Sequence, residues 1–157
     1  MFGFLINLLL ILTLTAPAPE ILATPVPYFD DRIVEKFQAP LWERGPGHRG
    51  VDLAIEENEP IRAPFESSVF FSGKVFDRNV ITLLSTTGLK ATFEPVCSPL
   101  NKGDVVQSEQ EIGLICEADP GYETHCESCI HFSIRNEFGY LNPALYFEGL
   151  AASVLVG

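Results

Sequence analysis

The chain has few basic residues for its size. Its 157 residues include 10 Lys and Arg against 21 Asp and Glu, which gives a formal net charge of −11 at pH 7. Proteins that follow a phosphate backbone carry the opposite charge, because they bind it through Lys and Arg. The composition therefore argues against nucleic acid as a partner.

Sustained helical periodicity is also missing beyond the N-terminal segment, and there is no internal repeat. Short runs rich in β-branched and aromatic residues alternate instead with turn signals. These runs are Pro60–Pro64, Ser68–Val75, Val80–Ser85, Leu89–Val96, Glu111–Cys116 and Cys129–Arg135. The pattern predicts one all-β domain, with at most a short helical turn within Pro143–Leu150.

Alternation is clearest around Phe93. A period of two places Phe93 and Pro95 on one face of the strand, and Thr92 and Glu94 on the other. The turn at Thr86–Gly88 predicts that this strand forms a hairpin with the run before it.

An apolar run at residues 2–15 lacks charge and is shorter than the roughly 20 residues of a membrane-spanning helix. Small residues follow it at Ala16, Ala18 and Ala23, which is typical of a secretory signal peptide. We predict a signal peptide at 1–23 with cleavage after Ala23, and Ala18 as the other candidate. A retained membrane anchor is the alternative, and only then would a membrane be a partner. Export predicts a secreted or cell-envelope protein.

The chain has four cysteines, at positions 97, 116, 126 and 129. An exported protein meets an oxidising compartment, so these cysteines can form two disulfides. The sequence leaves all three connectivities open.

Histidine is scarce, with only three in the chain. His48 and Asp52 are four residues apart, and Gly50 between them permits the bend that would bring them to one cation. Cys129 and His131 lie two apart in a predicted strand and share a face. Two imidazoles and a carboxylate around an open fourth position form a catalytic zinc set, in which bound water has a pKa near neutrality.

The sequence around these residues resembles that of a known family. The segments are Gly45–Ala54 (GPGHRGVDLA), Pro60–Pro64, Asn101–Val106 with Ile112 and Gly113, and Cys129–Arg135 (CIHFSIR). Together they are similar, from about Leu41 to Pro143, to the lysostaphin/LytM-type zinc metallopeptidases, which cut peptide cross-bridges in bacterial peptidoglycan. The resemblance implies that His48, Asp52 and His131 bind Zn²⁺. It also implies a compact antiparallel two-sheet fold with a groove over one sheet.

Two auxiliary histidines of the active family members are absent, because Cys129 and Pro95 stand at their positions. The sequence also resembles a subgroup in which the strand reads T-Y-E-P-V and the last motif begins with Cys. Two residues are candidate catalytic substitutes. His125 could reach the metal from its loop, and Glu94 neighbours one missing histidine, although alternation directs it to the face opposite Pro95.

Cys129 has three interpretations: a disulfide with Cys126 or another cysteine, a fourth zinc ligand, or a free nucleophile. A rival zinc knuckle would combine His125, Cys126, Cys129 and His131.

The leading hypothesis is an exported zinc metallo-endopeptidase that hydrolyses peptidoglycan cross-bridges. The alternative is a catalytically inactive family member that binds cell-wall peptides or regulates another wall hydrolase. The predicted organisation is a signal peptide at 1–23, an extended lead-in at 24–40, the peptidase-like domain at 41–150 and a tail at 151–157.

Overall fold

The computed structural model describes residues 22–42, 44–117 and 126–147. Strands dominate these ranges, and all their strand pairings are antiparallel. The predicted all-β, two-sheet class is confirmed. Within the same ranges no helix has the length and apolar character needed to cross a bilayer.

The larger sheet has eight strands, seven of which follow one another in the order β1-β2-β10-β6-β5-β4-β8, while β11 pairs with β10. Their bounds are β1 Ile33–Glu35, β2 Val51–Ala54, β4 Ser67–Val75, β5 Arg78–Ser85, β6 Lys90–Glu94, β8 Val105–Val106, β10 Cys129–Asn136 and β11 Gly139–Leu141. The smaller sheet has the order β3-β9-β7, with β3 Ile61–Arg62, β9 Glu111–Ile115 and β7 Val96–Cys97. Two short helices complete the described elements, α1 at Phe29–Arg32 and a 3₁₀ turn at Pro143–Tyr146.

Each of the six predicted β-rich runs contains a strand, and β5 pairs with β6 as the predicted hairpin. Sequence patterning missed β1, β2, β8 and β11 and did not separate β7 from the run that contains β6. These strands have two to four residues each. Such lengths are too short for alternation to be recognised. The 3₁₀ turn lies inside the predicted helical stretch.

The segment predicted as an extended lead-in contains more regular structure than expected. It includes α1 and β1, and β1 pairs with β2 at the edge of the larger sheet. Phe29 of α1 is buried against the rings of Phe132 and Phe147, at centroid distances of 6.2 and 4.2 Å. Burial of this aromatic ring removes apolar surface from water, which stabilises the folded state by about 2 kcal/mol. This explains why the lead-in is part of the fold.

The core lies against one face of the larger sheet. Phe93 on β6 and Phe132 on β10 are fully buried and stack with centroids 4.7 Å apart and an interplanar angle of 12°. Phe93 is buried while Thr92 and Glu94 are partly exposed, which confirms the predicted alternation. The residues that alternate with these two phenylalanines along β6 and β10 lie on the opposite side of the sheet, which we call the outer face and define by Asp52, His131 and Arg135.

Two disulfides join Cys97 to Cys116 and Cys126 to Cys129. The first connects β7 to the end of β9, and the second lies at the start of β10. The structure therefore selects one of the three connectivities that the sequence left open.

Leu22 and Ala23 are the first described residues, and both bond to the domain. Leu22 is buried and its N–H donates to the Tyr146 carbonyl at 3.0 Å, while the N–H of Ala23 donates to Pro64 at 2.9 Å. The rest of the predicted signal peptide, the predicted tail and His125 lie outside the described residues.

Candidate metal centre

Three predicted ligands meet on the outer face. The Nε2 atom of His48 lies 3.1 Å from Oδ1 of Asp52 and 3.1 Å from Nδ1 of His131. The third side of the triangle, from His131 Nδ1 to Asp52 Oδ1, is 2.8 Å. The structure thus brings together residues that are up to 83 positions apart in the chain.

Strand register explains the meeting of Asp52 and His131. Asp52 on β2 and His131 on β10 are direct partners in an antiparallel pair, so their side chains emerge on the same face. Their neighbours Leu53 and Ile130 point the other way and are fully buried. Apolar burial on one face therefore fixes the register that aligns the two ligands on the other.

His48 is positioned by the lead-in. Its backbone exchanges two hydrogen bonds with Gln38, at 2.9 and 3.0 Å, and its Nδ1 lies 2.9 Å from the Lys36 carbonyl. A carbonyl only accepts, so Nδ1 carries the proton and the lone pair of Nε2 faces Asp52 and His131. This second contact orients the ring as outer partners do in metal sites.

Gly50 is required by close approach rather than by the bend alone. A Cβ at this position would lie 2.7 Å from Nε2 of His131 and would overlap the Phe132 carbonyl oxygen. Gly50, which lies between His48 and Asp52 in the chain, therefore provides the surface against which the ring of His131 packs.

The donor set fits a zinc ion. Tetrahedral zinc with bonds of about 2.0–2.1 Å to nitrogen and oxygen places its ligand atoms about 3.3 Å apart, close to the observed triangle. Asp52 is only 5% exposed, and a buried carboxylate requires a compensating partner. Among the described residues, these three form the group of His, Cys, Asp and Glu side chains that could hold a metal.

Glu94 lies beside this triangle. It is the direct partner of His131 across β6 and β10, so it shares the outer face with that ligand. The expectation that alternation would direct Glu94 away from the metal site is wrong, because the core-facing residues of β6 are Ala91 and Phe93 and the candidate ligands lie on the opposite side.

Two further charged residues on neighbouring strands were missed by sequence reasoning. Arg78 on β5 contacts both carboxylate oxygens of Glu94, with Nε to Oε2 at 3.2 Å and Nη2 to Oε1 at 3.3 Å. Glu35 on β1 is paired with Asp52 on its other side. Neither residue belongs to a sequence motif, and only knowledge of the strand order could have placed them near the triangle.

The disulfide decides the role of Cys129 in this structure. Its sulfur is bonded to Cys126, so Cys129 is neither a zinc ligand nor a free nucleophile here. The rival zinc knuckle is excluded as well, since it needs both sulfurs as thiolates. His125 lies outside the described residues, and its proposed approach to the metal stays a prediction.

Comparison with known proteins agrees with this geometry. A model of peptidase family M23 matches residues 46–143, which include all three ligands. The uncharacterized protein Rv2891 of Mycobacterium tuberculosis is 33% identical over 118 residues, covering 75% of this chain. The chain spans only 46% of the length of that relative.

Solved structures show the same fold. The structure of Helicobacter pylori Csd3 superposes with a TM-score of 0.64 at 23% identity, covering 82% of this chain and 35% of Csd3. A zinc-containing peptidase from Vibrio cholerae gives 0.61 at 17% identity, covering 78% of this chain and 39% of that one. The family resemblance found in the sequence is confirmed by the match of the family model, and the chain belongs to peptidase family M23.

Proposed function

We propose that the protein is an exported zinc metallo-endopeptidase that hydrolyses peptide cross-bridges of bacterial peptidoglycan. The observation that carries this proposal is the triangle of His48, Asp52 and His131, whose three ligand atoms are 2.8 to 3.1 Å apart. Zinc held by two imidazoles and one carboxylate supplies Lewis acidity and a water of lowered pKa.

Hydrolysis of a peptide bond also needs groups that move protons. One group takes a proton from the attacking water, and a proton must reach the leaving amine nitrogen as the C–N bond breaks. Glu94 is our candidate for this role, because its carboxylate is on the outer face next to His131. Arg78 contacts that carboxylate at two points, which orients it, and Nη1 of Arg78 also pairs with Asp77 at 2.8 Å.

A catalytically inactive protein that binds wall peptides or regulates another wall hydrolase is the second candidate. The specific observation in its favour is the shortage of histidine. Among the described residues, His48 and His131 are the only histidines, and both belong to the ligand triangle. No imidazole in the described chain thus takes the place of the two that the family's active members use.

Export is part of the proposal, and the position of Leu22 bears on the cleavage site. Cleavage after Ala23 would remove the buried Leu22 side chain and the two backbone hydrogen bonds made by Leu22 and Ala23. Cleavage after Ala18 would keep them. N-terminal sequencing of protein recovered outside the cytoplasm distinguishes the two sites, and an intact N-terminus found only in the cytoplasm would contradict export.

The experiment that separates the two functions uses purified sacculi. The protein is incubated with sacculi or cross-linked muropeptides in the presence of zinc, and newly formed amine termini are measured. We expect new termini from the native protein and none from His48→Ala or after chelation. A zinc-loaded native protein that releases no amines at high concentration would contradict the peptidase and leave the binding role.

A further inference from the structure

A pocket of about 630 Å³ opens beside the outer face, and its lining includes Arg135 of β10 and Arg49, which follows His48 in the chain. We call it the arginine–aromatic pocket and define it by Trp42, Arg44, Arg49, Arg135, Phe138 and Tyr140. It is formed by the loop before β2 together with the hairpin of β10 and β11.

Positive charge is concentrated in this pocket. Three of the ten basic residues of an otherwise acidic chain line it. Two of them converge on one ring, since the guanidinium carbons of Arg49 and Arg135 lie 6.0 and 5.9 Å from the centroid of Tyr140. The single carboxylate among the described lining residues is the exposed Glu137.

Part of the pocket is already fixed in position. Nη2 of Arg49 donates a hydrogen bond to the Gly45 carbonyl at 3.0 Å, and this bond joins the Arg49 side chain to the backbone of the same loop. Arg135 is half-buried on β10, whereas Arg44 is exposed. The pocket thus combines a half-buried arginine of the sheet with an exposed arginine of the loop.

Large aromatic surfaces remain uncovered beside these cations. Trp42 is 60% exposed and Phe138 is 88% exposed. Exposed aromatic rings of this size, close to several guanidinium groups, are typical of ligand sites in which an anion is bound by Arg and its apolar neighbour packs on a ring.

Two segments connect the pocket to the candidate metal centre, because Arg49 directly follows His48 and Arg135 lies on the same strand as His131. Arg135 follows His131 by four residues on β10, so both side chains are on the outer face, about 13 Å apart. An extended peptide advances about 3.4 Å per residue, so a chain lying on this face would reach from one site to the other in about four residues.

We propose that the arginine–aromatic pocket binds a carboxylate of the substrate peptide, about four residues from the bond that is cut. This inference rests on the proposed peptidase function and adds to it a requirement for an acidic residue at one end of the substrate. Guanidinium groups bind carboxylates through two parallel, charge-assisted hydrogen bonds, whereas a neutral amide offers them one uncharged acceptor and therefore a weaker interaction.

Trp42 allows a direct test, because it is the only tryptophan in the chain and it lines the pocket. The intrinsic fluorescence of the full-length protein is titrated with a blocked alanine pentapeptide that has a central glutamate, and with its glutamine counterpart. We expect the glutamate peptide to bind at least about tenfold more tightly, since a charged hydrogen bond contributes about 1.5–3 kcal/mol.

Matched variants locate the effect. Arg135→Gln and Arg44→Gln should each raise the Kd of the glutamate peptide about tenfold. Arg62→Gln is the control, because Arg62 is exposed and bonds to the Glu109 carbonyl outside the pocket. Arg44 is exposed, so its substitution stays informative if Arg135→Gln disturbs the sheet.

Three results would overturn the proposal. They are equal affinity for the two peptides, equal loss in Arg62→Gln, and binding of inorganic phosphate or glucuronic acid that is as tight as that of the glutamate peptide. The titration measures peptide binding and measures neither peptide cleavage nor zinc content. Preferential binding of the glutamate peptide without amine release from sacculi would therefore contradict the peptidase function alone, and equal binding of the two peptides would contradict the pocket alone.

Discussion

The two ends of the outer face differ in their predominant charge, with Arg78 at the metal end and Glu137 at the pocket end as exceptions. At one end Glu35, Asp52 and Glu94 flank the two imidazoles of the metal centre. At the other end Arg44, Arg49 and Arg135 surround exposed aromatic rings. One sheet thus presents a group of side chains that could hold a cation and a group of arginines, about 13 Å apart along β10.

The same comparison explains how the sites differ in construction. Each metal ligand is held by the fold, through strand register for Asp52 and His131 and through backbone bonding to Gln38 for His48. The arginine–aromatic pocket combines one sheet residue with loop residues, of which Trp42 and Arg44 are exposed. We expect substitutions at the metal end to abolish function and those at the pocket end to change specificity.

The largest effect is expected for His48→Ala. Loss of one of three ligands should remove stoichiometric zinc and reduce amine release from sacculi to background, because the metal chemistry is lost as a whole. Fluorescence titration of Trp42 with the glutamate peptide should be unchanged. Simultaneous loss of peptide binding, with native circular dichroism, would contradict the independence of the two ends.

The second effect concerns the carboxylates that flank the metal. Glu94→Gln should lower the cleavage rate by about 10²–10⁴, the range for loss of general acid–base help, with zinc content unchanged. Glu35→Gln is the matched control, because Glu35 is paired with Asp52 on the other side of the triangle. The cleavage rate of this variant should stay near that of the native protein. Equal rates for the native protein and Glu94→Gln would remove Glu94 from the reaction.

The third effect tests the close contact under His131. Gly50→Ala should lower the free energy of unfolding by about 1–3 kcal/mol and weaken zinc binding, because the new Cβ overlaps the Phe132 carbonyl and the imidazole. Gly88→Ala is the control, since its φ of +87° is strained for alanine but nothing lies within 4 Å. Urea unfolding and metal analysis should show zinc loss only for Gly50→Ala.

The smallest effect on function is expected from the disulfides. Replacing Cys97 and Cys116 by serine should cost about 3 kcal/mol of stability, and replacing Cys126 and Cys129 about 2 kcal/mol, because the second pair closes a shorter loop. Zinc content should persist in both double variants. Zinc loss in the Cys126/Cys129 variant alone would indicate that the thiolate of Cys129 binds the metal.

Much of the metal end could be predicted from the sequence. His48 and Asp52 belong to one short motif, and His131 lies in a run whose β-branched and aromatic residues indicate a strand. Alternation in Lys90–Glu94 predicted correctly which side chains are buried. It could not tell which face carries the metal, because that depends on pairing with β10, and the inference about Glu94 was wrong for this reason.

The pocket end could not be predicted. Arg44 and Arg135 are separated by most of the domain, and each reads singly as an ordinary surface cation. Their proximity depends on the hairpin of β10 and β11, and β11 has only three residues. The lead-in was also underestimated, since the contacts of Lys36 and Gln38 with His48 have no signature in the local pattern.

We expect this chain to bind one zinc ion through His48, Asp52 and His131. The metal content of the purified native protein and of Asp52→Asn, measured by mass spectrometry after removal of loosely bound ions, tests this directly. The native chain should carry one zinc, and Asp52→Asn should lose most of it with the fold retained. Absence of stoichiometric zinc from the native protein after zinc loading, or equal zinc in the variant, would contradict this expectation.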